Sequence, residues 1–158
     1  MMTVWKAIKS CAAFAVVAAS LGLPSAAGAD GFGPRVGLTG DPDQVHMGLH
    51  LPTLRMTPNL GFMPSFEAGI GEETTLFSAN MDFKYAFNTQ AGNWRPYLGA
   101  GPALHLLNHD DFDDELEVGV GIFGGMQTAT RGGAFFGEMR LGLVDSPDFK
   151  FTVGWMFN

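Results

Sequence analysis

Apolar and polar side chains alternate with a period of two along most of this chain, and the clearest case lies between residues 75 and 87. One row of this segment is apolar and largely aromatic: Phe77, Ala79, Met81, Phe83, Tyr85 and Phe87. The intervening row is small, polar or charged: Ser78, Asn80, Asp82, Lys84 and Ala86. Because successive side chains of a β-strand point to opposite faces, this pattern predicts a strand with one apolar face.

The alternation recurs often enough to predict an all-β chain of eight strands. Five strong segments span residues 60–70, 75–87, 115–124, 134–143 and 149–157, and two shorter ones span 34–40 and 45–51. An eighth strand is expected within residues 95–107, where the sequence leaves open whether the row of Tyr97 or that of Leu98 faces outward. After residue 29, no stretch is apolar enough for a transmembrane helix, so such a chain would enter a membrane as strands.

The first residues have the three parts of a secretory signal peptide. Lys6 and Lys9 precede a short apolar run, and Ala27-Gly28-Ala29 fits a cleavage site. We therefore expect residues 1–29 to be a cleaved signal peptide and residues 30–158 to form one domain. Cleavage would remove Cys11, the only cysteine, so no disulfide framework is expected.

The charge of the mature chain excludes one class of partner. Cleavage leaves seven of nine basic residues against sixteen acidic ones, so the formal charge becomes 7 − 16 = −9. An acidic surface argues against nucleic acid as a partner.

The connections between the predicted strands alternate in charge. Residues 39–44, 71–75, 108–115 and 144–148 are acidic, whereas residues 52–58, 88–96 and 127–133 each contain an arginine. Odd and even connections of an antiparallel barrel lie at opposite ends, so this parity predicts one acidic end and one arginine-bearing end. The spacing also suits strands of about 10 residues, the length that crosses a bilayer at a tilt.

Charged residues of the strands all fall on the polar row: Glu67, Asp82, Lys84, Glu117, Glu138, Arg140 and Lys150. Two architectures produce this pattern. A soluble barrel turns the apolar row inward, whereas a membrane barrel turns the apolar row to lipid and the charges inward. We favour the membrane barrel, with an interior charge network in which Glu138 or Glu117 pairs with Arg140 or Lys150.

Five aromatic residues support this choice, because strand parity places all of them at the arginine-bearing end. They are Tyr85, Phe87, Trp94, Trp155 and Phe157. Girdles of aromatic residues mark the membrane interfaces of transmembrane barrels, so we predict that these residues lie at one membrane interface.

The final segment resembles the C-terminal targeting strand of bacterial outer-membrane β-barrel proteins. Phe149, Phe151, Val153, Trp155 and Phe157 repeat its aromatic and apolar residues at every second position, with Asn158 following. Residues 94–104, WRPYLGAGPAL, are similar to the P-Y-x-G-x-G strands of small OmpA-like and OmpX-like barrels of the porin family. The resemblance implies an eight-stranded antiparallel up-and-down transmembrane β-barrel in the cell outer membrane of a Gram-negative bacterium.

The same resemblance implies a role and a set of partners. We expect a non-enzymatic, monomeric protein of the cell envelope with a structural or surface role, and with at most minor transport or ligand binding. The implied partners are outer-membrane lipid, lipopolysaccharide and, through the last strand, the barrel-assembly machinery. Both termini would lie on the periplasmic side.

Two alternatives remain open at this point. One is a soluble exported, lipocalin-like, ligand-binding barrel. The other is a lipid A modifying enzyme, since a nucleophilic serine needs a histidine and an acid. The His-x-Ser pair of the deacylases is absent from the sequence, and Asp145, Ser146 and His109 are the residues from which a triad could be assembled.

Metal binding is a weaker hypothesis, and no cofactor is otherwise expected. The acidic run between residues 108 and 115 supplies carboxylates that suit Ca²⁺ or Mg²⁺: Asp110, Asp111, Asp113, Asp114 and Glu115. The run lacks the spacing of an EF-hand loop. His46 and His50 share one face of a strand, and we interpret them as polar residues of the barrel interior.

Overall fold

The computed structural model describes residues 31–41, 43–71, 74–109 and 115–157. The predicted signal peptide, residues 1–29, lies outside the described residues. The strands are β1 Gly33–Gly40, β2 Gln44–His50, β3 Leu54–Arg55, β4 Leu60–Ile70, β5 Thr74–Ala86, β6 Trp94–His109, β7 Glu115–Thr130, β8 Gly133–Val144 and β9 Phe149–Phe157. Within these ranges no helix is long and apolar enough to cross a membrane.

The strands close into a single antiparallel barrel. Each long strand pairs with its neighbours in the chain, and β9 pairs with β1 through contacts such as Val36 with Val153. The predicted eight-stranded, up-and-down, all-β barrel is confirmed. Closure pairs the edges that an open sheet would expose, which is the requirement for a strand structure in lipid.

The structure has nine strand segments rather than eight because β3, a segment of two residues, continues β2. Pro52 follows the end of β2 and has no N–H to donate to the ladder, so the pairing is interrupted there. The chain then resumes pairing with β4, where Leu54 lies opposite Phe62 and Arg55 opposite Gly61. This two-residue strand was not predicted, because its apolar content is too short to alternate.

Burial alternates along the strands as the sequence predicts. In β4, for example, Met63, Ser65 and Glu67 are buried, whereas Ile70 is 57% exposed. The inner face is mainly polar and the outer face mainly apolar. The faces of β6, which the sequence left open, are now assigned: Tyr97 points inward and Leu98 outward, with exposures of 2% and 55%.

The two ends of the barrel differ in charge. The ends of β1, β4, β6 and β8 lie at one end of the barrel, here called the acidic end. In the sequence, the connection that follows each of them contains at least two acidic residues. The opposite end, here called the terminal end, has the connections that contain Arg55, Arg95 and Arg131. The first residue of β1 and the last residue of β9 also lie at this end. The predicted segregation of charge by parity is therefore present in the fold.

Candidate functional site

Most of the charged side chains of the strands meet inside the barrel. Six of the seven residues predicted for the polar row are buried there: Glu67, Asp82, Lys84, Glu138, Arg140 and Lys150. Arg35 of β1 joins them and is only 3% exposed. An eight-stranded barrel is just wide enough to be filled by its own side chains, which explains why these residues contact one another across the lumen.

Glu67 joins two cations. Lys150 Nζ donates a hydrogen bond of 2.8 Å to Glu67 Oε2, and Arg35 Nε lies 2.9 Å from Glu67 Oε1. Arg35 continues the chain of contacts, because its Nη2 donates to Glu138 Oε1 at 3.2 Å. Tyr97 completes the set by donating its hydroxyl to Glu138 Oε2 at 3.2 Å. Strands β1, β4, β6, β8 and β9 are thus connected through one network.

A second ion pair lies beside the first network. Arg140 Nη2 donates to Asp82 Oδ2, and both side chains are nearly inaccessible to solvent. The guanidinium of Arg140 also lies 4.8 Å from the centre of the Phe123 ring, within the range of a cation–π interaction. Charge and packing therefore both fix Arg140.

Lys84 contacts two neutral side chains. Its Nζ donates a hydrogen bond of 2.7 Å to Gln127 Oε1 and lies 4.6 Å from the centre of the Tyr97 ring. Tyr97 therefore contacts both a cation through its ring and an anion through its hydroxyl.

The partners within the network differ from the predicted ones. Glu138 pairs with Arg35 rather than with Arg140 or Lys150. Arg140 and Lys150 lie directly opposite each other on β8 and β9, and like charges in that position repel. Each reaches instead to a carboxylate on a different strand, Arg140 to Asp82 and Lys150 to Glu67.

Glu117 does not join the network. It is half-buried on β7 near the acidic end and lies opposite His105 of β6. Among the residues that the structure describes, it forms no ion pair, because it stands too far along the barrel from Arg140 and Lys150.

Arg35 is the main residue that the sequence reasoning missed. Its segment is short, but Val36 and Leu38 are exposed and Arg35 and Thr39 are buried, so the same period-two alternation holds. Applying the rule to this strand would have placed Arg35 on the polar row. Tyr97 was missed because its row could not be assigned.

His46 and His50 are interior residues, as we interpreted them. The His46 ring lies between Thr39 Oγ1, 2.8 Å from Nδ1, and Thr152 Oγ1, 3.0 Å from Nε2. His50 packs against Phe136 with 5.3 Å between ring centres. Within the described ranges, no group of three or more His, Cys, Asp or Glu residues is arranged to hold a metal ion.

Of the predicted Ca²⁺ or Mg²⁺ ligands, Glu115 lies within the described residues. Asp110, Asp111, Asp113 and Asp114 lie outside the described residues, and Glu115 is an exposed residue at the start of β7.

A histidine and two serines form a hydrogen-bonded row at the acidic end. His105 Nδ1 lies 2.9 Å from Ser78 Oγ, and His105 Nε2 lies 3.2 Å from Ser146 Oγ. His105 and Ser146 border a cavity of about 190 Å³ that Glu117 and Asp145 also line. Ser146 is thus joined to His105, while the side chain of His109 is outside the described part. Hydroxyls lie within hydrogen-bond distance of both nitrogens of His105, so among the described residues no carboxylate orients the ring as in a catalytic triad.

The five predicted interface aromatics lie on the outer face at the terminal end. Tyr85, Trp94 and Phe157 are 44%, 36% and 45% exposed, and Phe87 and Trp155 are half-exposed. Tyr85 packs edge-on against Phe87, and Trp94 packs edge-on against Phe135. These five residues are here called the aromatic rim. Their position at a membrane interface stays a prediction.

Comparison with solved structures identifies similar folds. The chain is similar to the crystal structure of Neisserial surface protein A (NspA), with a TM-score of 0.63, 19% identity, and coverage of 82% of this chain and 98% of that one. It is also similar to the N-terminal β-barrel domain of Pseudomonas aeruginosa OprF, with a TM-score of 0.63, 14% identity and the same two coverages. No protein-family model matches the sequence, and no curated protein matches it.

Proposed function

We propose that this protein is a monomeric, integral outer-membrane β-barrel with a structural or surface role and no enzymatic activity. The chain has the fold of the small eight-stranded, OmpA-like outer-membrane barrels, to which the two similar structures belong. Minor transport or ligand binding would be additional to this role. The partners proposed are outer-membrane lipid, lipopolysaccharide and the barrel-assembly machinery. The assembly machinery would recognise the apolar face of β9.

The observation that carries this proposal is the inverted burial of the barrel. Large apolar side chains such as Leu38, Leu116 and Leu143 are 59%, 69% and 58% exposed on the outer face. Charged side chains such as Glu138 and Lys150 are 2% and 3% exposed inside. A continuous apolar outer surface of this extent is covered in a stable protein, and lipid is the cover that fits a closed barrel.

The same observation disfavours a soluble ligand-binding barrel. A lipocalin-like barrel keeps its apolar row inside as the wall of a ligand cavity, with the charged row in water. Here the two rows are exchanged, and the lumen contains Glu67, Arg35 and Lys150 in mutual contact.

Two further features support the non-enzymatic role. His105 contacts Ser78 and Ser146 rather than a carboxylate, so the arrangement lacks the acid of a catalytic triad. The ion pairs in the lumen join strands that lie two or three positions apart around the barrel, an arrangement that suits a stabilised interior more than an open channel.

The proposed orientation has both termini in the periplasm and the acidic end at the cell surface. This orientation is supported by β1 and β9, because β1 starts and β9 ends at the terminal end. Chains of this fold are assembled from the periplasm. The acidic end would then lie beside the phosphates of lipopolysaccharide, where divalent cations are shared between anionic groups.

Cell fractionation tests the proposal directly. The full chain is expressed in a Gram-negative host, and the outer-membrane fraction is run on a gel with and without boiling. We expect recovery in the outer membrane and a mobility that changes on boiling, because a closed barrel stays folded in detergent until heated. Recovery in the soluble periplasm, without a need for detergent, would overturn the proposal.

A further inference from the structure

The connections at the terminal end of the barrel are positively charged. Each of its three connections contains one arginine, here called the arginine rim: Arg55 in β3, Arg95 at the start of β6 and Arg131 in the turn between β7 and β8. The sequences of these connections, residues 51–59, 87–95 and 127–133, contain no aspartate or glutamate. The positive charge of this end is therefore local and repeated around the barrel.

Arg95 is fixed at this rim by neutral acceptors. Its Nε donates to the Phe87 carbonyl oxygen at 2.7 Å, and its Nη2 lies 3.4 Å from the side-chain oxygens of Asn59 and Asn88. These contacts orient the guanidinium without neutralising its charge. Arg55 and Arg131 are exposed, so their long side chains are accessible from outside the protein.

The aromatic rim sets the depth at which these arginines lie. Trp94 is the neighbour of Arg95 in sequence, and Tyr85 and Phe157 are exposed at the same end. Tyrosine and tryptophan side chains concentrate at the level of lipid headgroups. In a membrane, the arginine rim would consequently stand at the level of the phosphates rather than in the hydrocarbon.

We propose that the arginine rim binds the headgroups of anionic phospholipids in the leaflet that faces the terminal end. A guanidinium presents a rigid fork of donors that matches two phosphate oxygens, and it keeps its charge at every physiological pH. The inference rests on the proposed membrane location and orientation, in which the terminal end faces the phospholipid leaflet of the outer membrane. The lipid would be selected by charge, and the chain would gain a fixed depth and orientation.

Native mass spectrometry of the full chain, refolded in detergent, tests this site. The protein receives phosphatidylglycerol or phosphatidylcholine with identical acyl chains, and the fraction of protein that retains lipid is measured against lipid concentration. We expect tighter binding of phosphatidylglycerol, and a preference that falls about fivefold for each arginine removed in Arg131→Gln and in Arg55→Gln with Arg131→Gln. Arg131→Lys, which keeps the charge but not the fork, should lose part of the preference.

The matched control changes charge at the opposite end. Asp41→Asn with Asp43→Asn alters the net charge by two without touching the arginine rim, and both residues are exposed. This variant should keep the preference of the wild type. Asn tolerates the positive φ of Asp41, 47°, so folding should be unaffected.

The outcomes separate this inference from the proposed function. A mobility that changes on boiling, measured in each sample, reports that the barrel is folded. A folded wild type that binds both lipids equally, or a preference that survives removal of the arginines, would overturn the inference while leaving the barrel intact. Arginine-dependent binding of lipid A in preference to phosphatidylglycerol would overturn it too, by assigning the rim to the other leaflet.

Discussion

Single residues inside the barrel act as bridges between strands that are distant in the chain. Glu67 of β4 binds Lys150 of β9 and Arg35 of β1, and the side chains of Glu67 and Arg35 are 3% and 1% exposed. Removing one partner of a buried pair leaves a charge without compensation, which costs more than the pair itself contributes. The stability of the barrel therefore depends on whether each of these charges keeps its partner.

Neutralising Glu67 should destabilise the barrel. Glu67→Gln keeps the volume of the side chain but leaves Arg35 and Lys150 without their shared carboxylate, so we expect a loss of about 3–5 kcal/mol in the free energy of unfolding. The measurement is a denaturant titration in lipid vesicles, with the folded fraction read from gel mobility. Glu115→Gln is the control, because Glu115 is exposed and the same change should cost no more than about 0.5 kcal/mol. Equal losses for the two variants would show that the network contributes nothing.

Asp82 and Arg140 should be energetically coupled. Asp82→Asn and Arg140→Gln each leave one buried partner unpaired, so the double variant should lose less stability than the sum of the two single variants. We expect a coupling energy of about 1–3 kcal/mol, obtained from a double-mutant cycle of unfolding free energies. Asp82→Asn combined with Glu115→Gln should be additive, and additivity of both pairs would contradict the ion pair.

At the scale of elements, the turn between β8 and β9 is seated against the inner wall of the barrel. Ser146 contacts His105, and the Gly142 N–H donates to the Asp148 carbonyl oxygen at 3.2 Å. Gly119 leaves the space for this turn, since a Cβ there would lie 2.1 Å from Ser146 Oγ and 2.3 Å from the Asp145 carbonyl oxygen. Asp145 adopts a positive φ of 39°, which turns the chain inward.

A side chain at position 119 should displace the turn between β8 and β9 from the inner wall of the barrel. Gly119→Ala forces its Cβ against the backbone of Asp145, and overpacking of this kind costs about 1–3 kcal/mol. We expect a protease specific for acidic residues to cleave the turn more than about fivefold faster, because cleavage follows the open population. Gly137→Ala is the control, since its Cβ would meet nothing within 4 Å. Unchanged cleavage in Gly119→Ala would mean that the turn is not held against Gly119.

At the scale of the whole molecule, the barrel has an apolar outer band between two ends of different charge. The aromatic rim lies at the terminal end, and residues such as Leu141 and Phe151 expose apolar surface farther along the outer face. This arrangement fixes a direction along the barrel axis, so depth in a membrane becomes a measurable property of each outer side chain.

The two tryptophans of the described chain should lie at shallow depth. Trp94 and Trp155 are both at the terminal end, so lipids with a quencher near the headgroup should reduce their fluorescence more than lipids with a quencher at the end of the acyl chain. The measurement uses vesicles that contain refolded residues 30–158. As a control, Phe151→Trp in a background with Trp94→Phe and Trp155→Phe should show the opposite order. Deep quenching of the native tryptophans would contradict the predicted interface.

Much of the fold and part of the candidate site follow from local pattern. Glu138 and Lys150 were placed on the polar row from alternation, because a shift of one residue would move every side chain of a strand to the wrong face. That this row faces inward was predicted from the aromatic residues at one end and from the resemblance to outer-membrane barrels. The partners of these residues were not predictable. Arg140 finds Asp82 across 58 positions of sequence, and this contact depends on the stagger between strands that no single segment contains.

The sequence by itself determined that the chain forms strands, which face of most strands is apolar, and which connections share an end, because each of these depends on the period of two and on strand parity. Only the tertiary structure decided the orientation of β6, the role of Arg35 and the contact of His105 with Ser146. These features arise when the barrel closes and brings the inner faces of separate strands within a few ångströms of one another. Closure also decided that Arg140 and Lys150, opposite each other in the sheet, bind separate carboxylates across the lumen.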